Sequence, residues 1–237
     1  MLIDAVLTPA EIALLPQRDL SGTTCVVFDV LRATSSMISA LAHGAAEIHP
    51  ACTIEEALAL KLRMPDAVLG GERNGDPIAG FDVGNSPLEY REAMAGRRII
   101  TTTTNGTVAL RACELAPRVL VGALLNIAAL ATELRAEATK RLLLICAGTF
   151  ETFALEDAYA AGLLIGQLGA ATMTDAALTA RAVAAAYADP LTALQTARNG
   201  QALAASGRAA DVEWCAQLSK YNVVGQMSAG VVRLLNA

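Results

Sequence analysis

Thr23-Thr24-Cys25-Val26-Val27-Phe28-Asp29-Val30-Leu31-Arg32-Ala33-Thr34-Ser35-Ser36-Met37-Ile38-Ser39-Ala40-Leu41-Ala42 joins an unbroken apolar run to a helical pattern. The turn between them carries an acid and an arginine. Short continuous apolar runs suit a strand buried on both faces, the environment of a parallel sheet. The spacing predicts a strand over Thr23 to Asp29 and a helix from about Thr34 to Ala42. Thr34, Ser35 or Ser36 would cap that helix, and Gly44 would close it.

The unit recurs along the chain. Glu47 to Pro50 reads as a strand, and Thr53 with Glu56 as a capping box opening a helix to about Met64. Asp66 to Leu69 is strand-like. Ser86-Pro87-Leu88-Glu89 has the form of a helix start, with Gly96 as its end. Strands are then expected at Arg98 to Thr101, Val119 to Gly122 and Leu142 to Cys146, with helices from Val108 and from Asn126 to about Ala138. Strands alternating with helices indicate an α/β fold with a mainly parallel or mixed sheet covered on both faces. From Leu155 the composition turns to alanine-rich helix, over Leu155 to Leu168, Thr174 to Tyr187 and Leu191 to Ser206, the last interrupted near Gly200. The tail, Val223 to Leu235, would return as a strand. With no linker in sight, residues 1–237 read as one domain, the helical part packed on a motif-bearing part of about 23–162.

Between Gly70 and Pro87 stand five glycines, two prolines and three acids, and the stretch reads as a long loop. Connections of this length in compact domains are usually functional or disordered. Sparse charge and apolar flanks argue against disorder, so this loop is expected to meet a substrate. Ligands on such sheets bind at the carboxyl ends of the strands. The polar clusters Asp29 to Ser36, Glu72 to Ser86, Thr102 to Thr107 and Gly148 onward all fall there.

Composition narrows the partners. Of 237 residues 54% are hydrophobic and 4% aromatic, so the core is aliphatic. A net charge of −5 without a basic block argues against nucleic acid. No apolar run approaches the roughly 18 residues that span a bilayer, and Met1-Leu2-Ile3-Asp4 is unlike a signal peptide. Five scattered cysteines without a Cys-x-x-Cys pair point to a reducing cytoplasm, with Cys25 and Cys146 in the core. Trp214 and the methionines are also assigned to the core. A homo-oligomer is left open.

Asp29 could ligate a hard cation or act as nucleophile, and Arg32 could clamp a phosphate or sulfonate; a local ion pair is the plainer alternative. A haloacid-dehalogenase arrangement is excluded, because Leu31 stands where that chemistry needs a second acid. Thr104, Asn105 and Thr107 precede a helix, a place suited to an anion. The glycine spacing matches neither a P-loop nor a dinucleotide fingerprint. Glu156 and Asp157 open a helix beside the fourth cluster, as dipole partners or as metal ligands, and oxygen ligands of this kind favour magnesium over zinc. His43 and His49, the only histidines, fall at a helix end and a strand end, which gives serine-triad hydrolysis little support.

Five motifs together carry a resemblance. They are Val27-Phe28-Asp29-Val30-Leu31-Arg32-Ala33-Thr34, Gly71-Glu72-Arg73-Asn74-Gly75, Gly80-Phe81-Asp82-Val83-Gly84-Asn85-Ser86-Pro87, Thr103-Thr104-Asn105-Gly106-Thr107 and Leu155-Glu156-Asp157. In this order they resemble the 2-phosphosulfolactate phosphatase family, the ComB-type proteins; Asp211-Val212-Glu213-Trp214-Cys215 is similar only loosely. The resemblance implies a three-layer α/β/α fold and a magnesium-dependent phosphatase, with manganese as an alternative ion. The substrate would be a small anionic phosphorylated acid. The family's reaction converts 2-phospho-3-sulfolactate to 3-sulfolactate and phosphate, a step towards coenzyme M. On these motifs catalysis is expected of Asp29, Arg32, Glu72 and Arg73, and cation binding of Asp29, Glu72, Asp82, Glu156 and Asp157. Substrate binding is expected of Thr34, Ser35, Asn74, Gly75, Asn85, Ser86, Thr103, Thr104, Asn105, Gly106 and Thr107. A non-catalytic protein binding phosphorylated acids and a phosphoryl transferase are the rival readings.

Overall fold

The computed structural model describes residues 1–235. The chain runs β1 (Leu2–Val6), α1 (Pro9–Ile12), β2 (Thr23–Phe28), α2 (Ala33–Ala42), β3 (Glu47–Ala51), α3 (Ile54–Arg63), β4 (Val68–Arg73) and β5 (Asp76–Pro77). It continues through β6 (Arg98–Thr102), α4 (Gly106–Ala112), β7 (Arg118–Gly122), α5 (Ile127–Ala136), β8 (Arg141–Cys146) and α6 (Leu155–Leu168). After β9 (Thr172–Met173) come α7 (Asp175–Ala185), α8 (Pro190–Thr196), α9 (Arg198–Ala205), α10 (Ala209–Cys215), β10 (Gly225–Ser228) and β11 (Val231–Leu234).

All eleven strands join one mixed sheet in the order β5-β4-β6-β3-β11-β10-β7-β2-β8-β1-β9. The strand–helix units pair in parallel as expected, β2 lying between β7 and β8, and β6 between β3 and β4. The tail is a hairpin rather than a single strand, wedged antiparallel between β3 and β7. Its hold on β3 is a single register pair, Val232 with Ile48.

The sheet curls. Strands β2 and β4 stand six places apart in that order, which on a flat sheet would separate them by about 29 Å at about 4.8 Å per strand. Yet Glu72 of β4 accepts the Thr104 amide, and Gly106, two residues on, packs against Asp29 just after β2. One apolar cluster on the concave side takes in Val6 of β1 and Val68 of β4. Sheets of this width curl or split rather than stay flat. At the centre of that cluster lies α2, with Met37, Ile38 and Leu41, and beside it Leu110 of α4. On the convex side Leu130, Leu164, Ala180, Leu194, Leu203 and Val212, from α5 through α10, pack on Ile3, Val26, Phe28 and Leu144. A smaller cluster seats Ala57 of α3 on Leu69 and Ile100. Three layers result, α/β/α.

Five local expectations are corrected. The glycine-rich stretch begins as strand: β4 runs through Gly70, Gly71, Glu72 and Arg73. Gly71 has φ +129°, and a Cβ there would fall 1.9 Å from the Thr102 carbonyl oxygen, so only glycine lets β4 close on β6. Helix α2 is not capped by its hydroxyl residues, which lie inside its first turns. After Ser86 no α-helix forms, only a 3-10 turn over Glu92–Met94. There Ser86 Oγ accepts the Leu88 amide at 3.3 Å but donates to Asp211, and Glu89 reaches back to the Gly84 amide instead of closing a capping box. The break in the helical half falls at Ala197 between α8 and α9; Gly200 instead lies against the Leu194 carbonyl, where a Cβ would sit 1.8 Å away. Trp214 is half-buried, with Arg91 and Lys220 over its ring, rather than a core residue.

Two glycine substitutions separate contact from conformation. Gly71→Ala combines a positive φ with a backbone collision and should cost about 2–4 kcal/mol. Gly22→Ala, at φ +67° with nothing within 4 Å of the added carbon, should cost only about 1–2 kcal/mol. Urea unfolding of both variants measures the difference, and equal losses would remove the close-approach role of Gly71.

Candidate active site

Asp29 follows the last residue of β2, and its carboxylate takes over the capping of α2. Oδ1 accepts the Ala33 amide at 3.2 Å. The hydroxyl residues of α2 bond backwards instead. Thr34 Oγ1 accepts the Asp29 amide and donates to the Asp29 carbonyl, at 3.1 and 2.9 Å. Ser35 Oγ donates to the Val30 carbonyl at 2.7 Å, and Ser36 Oγ to that of Asn85 at 2.8 Å. Thr34 and Ser35 therefore fix the turn and do not face a ligand.

The peptide joining Leu31 to Arg32 is cis. Arg32 Nη1 donates to Asp211 Oδ2 at 2.7 Å, with both side chains about 95% buried, at 5% and 6% exposure. Its Nη2 donates to the Gly75 carbonyl at 3.2 Å. Asp211 Oδ1 accepts from Ser86 Oγ at 2.5 Å, so one carboxylate of α10 joins two motifs. The ion pair of Arg32 is thus with Asp211 and not with Asp29.

Glu72 joins two further loops. Oε1 accepts the Thr104 amide at 2.7 Å, and Oε2 accepts the Gly75 amide at 2.5 Å and the Thr104 hydroxyl at 3.1 Å. Gly106, opening α4, packs on Asp29: a Cβ there would fall 2.6 Å from Asp29 Oδ2.

These turns enclose a cleft of about 240 Å³ at the carboxyl ends of β2, β4, β6 and β8. Asp29, Arg32, Glu72, Asn74, Gly75, Asn85, Thr104 and Asn105 line it from the expected motifs. Thr149 and Phe150 line it from the loop after β8, Asn199 and Leu203 from α9, and Ser206 and Arg208 from the turn between α9 and α10. The four expected clusters do converge on one edge.

Other expected site residues lie elsewhere. Arg73 follows Glu72 on β4 and turns to the other side, donating to Thr102 Oγ1 at 2.7 Å. Side chains alternate along a strand, so these two neighbours cannot share the cleft. Asp82 is half-exposed and accepts the Leu69 amide at 2.8 Å, with Lys61 3.9 Å away. Thr103 and Thr107 bond one another and are buried. Glu156 and Asp157 are buried beneath the cleft wall rather than lining it. Asp157 accepts the Val30 amide at 2.8 Å and the Gly148 amide at 3.0 Å, tying the loops after β2 and β8. His43 meets the Ser39 carbonyl and His49 meets Glu47, both outside the site.

Burial sets the electrostatics. It pushes the Asp29 carboxyl up to about 7, with the charge of Glu72 adding to the effect. Burial likewise holds Asp157 well above the ordinary carboxylate range, with Glu156 and Asp29 adding to it, and raises Glu156. Among the described residues no three His, Cys, Asp or Glu side chains are placed to hold a metal ion. The two buried acids lining the cleft, Asp29 and Glu72, nonetheless suit magnesium. That ion commonly takes one or two carboxylates and completes its shell with water and substrate phosphate.

Asp211, Asn199 and Arg208 were not singled out as site residues. Nothing in the spacing of the alanine-rich half marks them; only the loose motif around Asp211 carried a signal.

An α/β sheet whose carboxyl edge gathers buried acids and an arginine around one small cleft belongs to the class of folds that handle small anionic ligands there. Comparison with known proteins narrows the class. A family model described as 2-phosphosulpholactate phosphatase matches residues 9–230, and the chain belongs to that family. A probable 2-phosphosulfolactate phosphatase of Deinococcus radiodurans is 41% identical over 210 residues, covering 86% of this chain and 88% of its own. Its namesake from Symbiobacterium thermophilum is 39% identical over 228 residues, covering 93% and 97%. That of Clostridium acetobutylicum is 34% identical over 238 residues, covering 98% and 100%.

The shifted Asp29 carboxyl makes stability depend on pH. Below about pH 4 the group is protonated folded and unfolded, because its ordinary value is 3.8. Between there and pH 7 the unfolded chain releases the proton while the folded state keeps it, so stability falls as pH rises and levels off above 7. With chelator present, the loss attributable to Asp29 is about 4 kcal/mol at about 1.36 kcal/mol per unit. Asp29→Asn should lose correspondingly less stability between pH 4 and pH 8. Parallel urea curves for both proteins check this, and identical pH slopes would place the cost on other groups.

Proposed function

We propose that the protein hydrolyses the phosphate monoester of a small sulfonated hydroxy acid, 2-phospho-3-sulfolactate, releasing 3-sulfolactate and inorganic phosphate. The names of its relatives support the substrate. The observation that carries the chemistry is the meeting of Asp29, Glu72, Arg32 and Thr104 in one small cleft. Asp29 and Glu72 would hold magnesium, with manganese as a substitute. When bound, that ion neutralises phosphoryl oxygens and makes phosphorus a better electrophile. Arg32, held in place by Asp211, presents its guanidinium to the phosphoryl group, whose oxygens match the planar fork. Asn105 and the turn before α4 close the other side. Asp29 takes the proton of the attacking water and gives it up through solvent water to the leaving alkoxide, which returns the carboxylate to its starting state. No histidine competes for that role. Among the described residues no helix is long and apolar enough to cross a membrane. Five unpaired cysteines suit work in a reducing cytoplasm.

Phosphate release from 2-phospho-3-sulfolactate, with magnesium and with chelator, tests the reading. Release should need the ion and no acceptor besides water, which separates hydrolysis from phosphoryl transfer and from simple binding. Asp29→Asn should lower kcat by about 10²–10⁴.

The arginines give a second test. Arg32→Lys keeps the charge but loses the fork, and a charge-assisted hydrogen bond is worth roughly 1.5–3 kcal/mol. A fall of about tenfold to a hundredfold in kcat/KM is expected at about 1.4 kcal/mol per decade. Arg73→Lys, outside the cleft, should stay within about threefold of wild type. Comparable losses in the two variants would reject the assignment of Arg32.

A further inference from the structure

Two arginines line the cleft and are held in opposite ways. Arg32 is buried against Asp211 at 2.7 Å, so its charge is already matched and its direction set. Arg208 is 28% exposed, and its one acidic partner is Asp76 at 3.4 Å, a side chain 81% exposed at the cleft's rim. Exposed pairs of this kind contribute about 0–1 kcal/mol, so an incoming anion can exchange with Asp76. Arg208 Nη1 also donates to Ser206 Oγ at 3.1 Å, which anchors one end of the guanidinium.

The placement has a second feature. Arg208 and Asp211 share the first turn of α10, where the Asp211 amide donates to the Arg208 carbonyl at 3.0 Å. One short turn therefore fixes both Arg32, through Asp211, and Arg208. The distance between the two cationic positions is set by backbone. The floor acids Asp29 and Glu72 would repel any further negative group on the substrate, leaving the rim as the place for it.

We infer that Arg208 is a specificity-determining residue that receives the second anionic group of the substrate, the carboxylate or sulfonate that remains on the alcohol after hydrolysis. This rests on the reading of the cleft as a site for a phosphorylated acid. Asp76 occupies the position until that group arrives.

The test compares 2-phospho-3-sulfolactate with ethyl phosphate, a monoester without a second acid, and adds calorimetric binding of 3-sulfolactate. In Arg208→Ala the ratio of kcat/KM for the two monoesters should fall about tenfold to a hundredfold, mainly through KM. Arg208→Lys should recover part of the ratio, and Asp76→Asn should bind 3-sulfolactate at least as tightly as wild type. An unchanged ratio in Arg208→Ala, or equal losses on both monoesters, overturns the inference. If wild type releases phosphate from neither monoester, the hydrolytic reading fails by itself and the calorimetry decides. Weaker 3-sulfolactate binding by Arg208→Ala then sustains the subsite; equal or absent binding in both proteins overturns it. Melting temperatures close to wild type should accompany every variant, since the side chain makes only rim contacts.

Discussion

Helix α2 is buried along nearly its whole length, yet it carries Thr34, Ser35, Ser36 and Ser39. Buried polar groups must find partners without water, at a cost of about 1–3 kcal/mol for each one left unmade. Every one of these hydroxyls has a partner, and the partners are not arbitrary. Thr34 and Ser35 bond the carbonyls of Asp29 and Val30, Ser36 bonds Asn85, and Ser39 accepts from Trp214 Nε1. Satisfying one helix thus pins the Asp29 turn, the loop before Ser86, and α10. With no water to compete for them, these bonds hold the turn in place.

Rigidity of that turn would be of little use without the curl that brings distant strands to it. The hairpin of β10 and β11 supplies the middle of the sheet and joins its two halves, holding β3 by a single register pair. Two glycines then allow the close approaches the site needs, one within a half of the sheet and one between the halves. Gly71 admits the Thr102 carbonyl, and Gly106 admits the Asp29 carboxylate. A side chain at Gly71 would hold β4 away from β6, and one at Gly106 would hold α4 away from the Asp29 turn, and Glu72 would lose its influence on Asp29.

The strand–helix alternation was legible because continuous apolar runs such as Cys25 to Phe28 and Leu142 to Cys146 have few other uses in a soluble fold. The edge on which the motifs meet followed from the same alternation. Three features were not legible, each for a physical reason. β4 hides behind Gly70 and Gly71, residues depleted in strands; reading a loop there erased the alternation that sends Glu72 and Arg73 to opposite faces. The hairpin gives only a weak alternating pattern, and its place in the sheet depends on a long-range pairing that local sequence does not encode. Asp211 and Arg208 lie in an alanine-rich stretch whose helices look interchangeable, and their importance comes from partners 179 and 132 residues away.

The acids in and beneath the cleft show what the fold gives up to hold this site. Asp29, Glu156 and Asp157 are all buried, and burial raises the affinity of each for a proton. Replacing such groups by apolar residues is often neutral or stabilising in proteins, so stability alone does not account for them. Backbone amides offset part of the cost: Asp157 takes two, from Val30 and Gly148, and Asp29 takes that of Ala33. What remains is a cluster of carboxyls that repel one another more as each ionises. A divalent cation against Asp29 and Glu72 would reverse the sign of that interaction, turning mutual repulsion into shared attraction. The same burial that sets these carboxyls against one another would then strengthen their hold on the cation, since charges act more strongly where water is excluded.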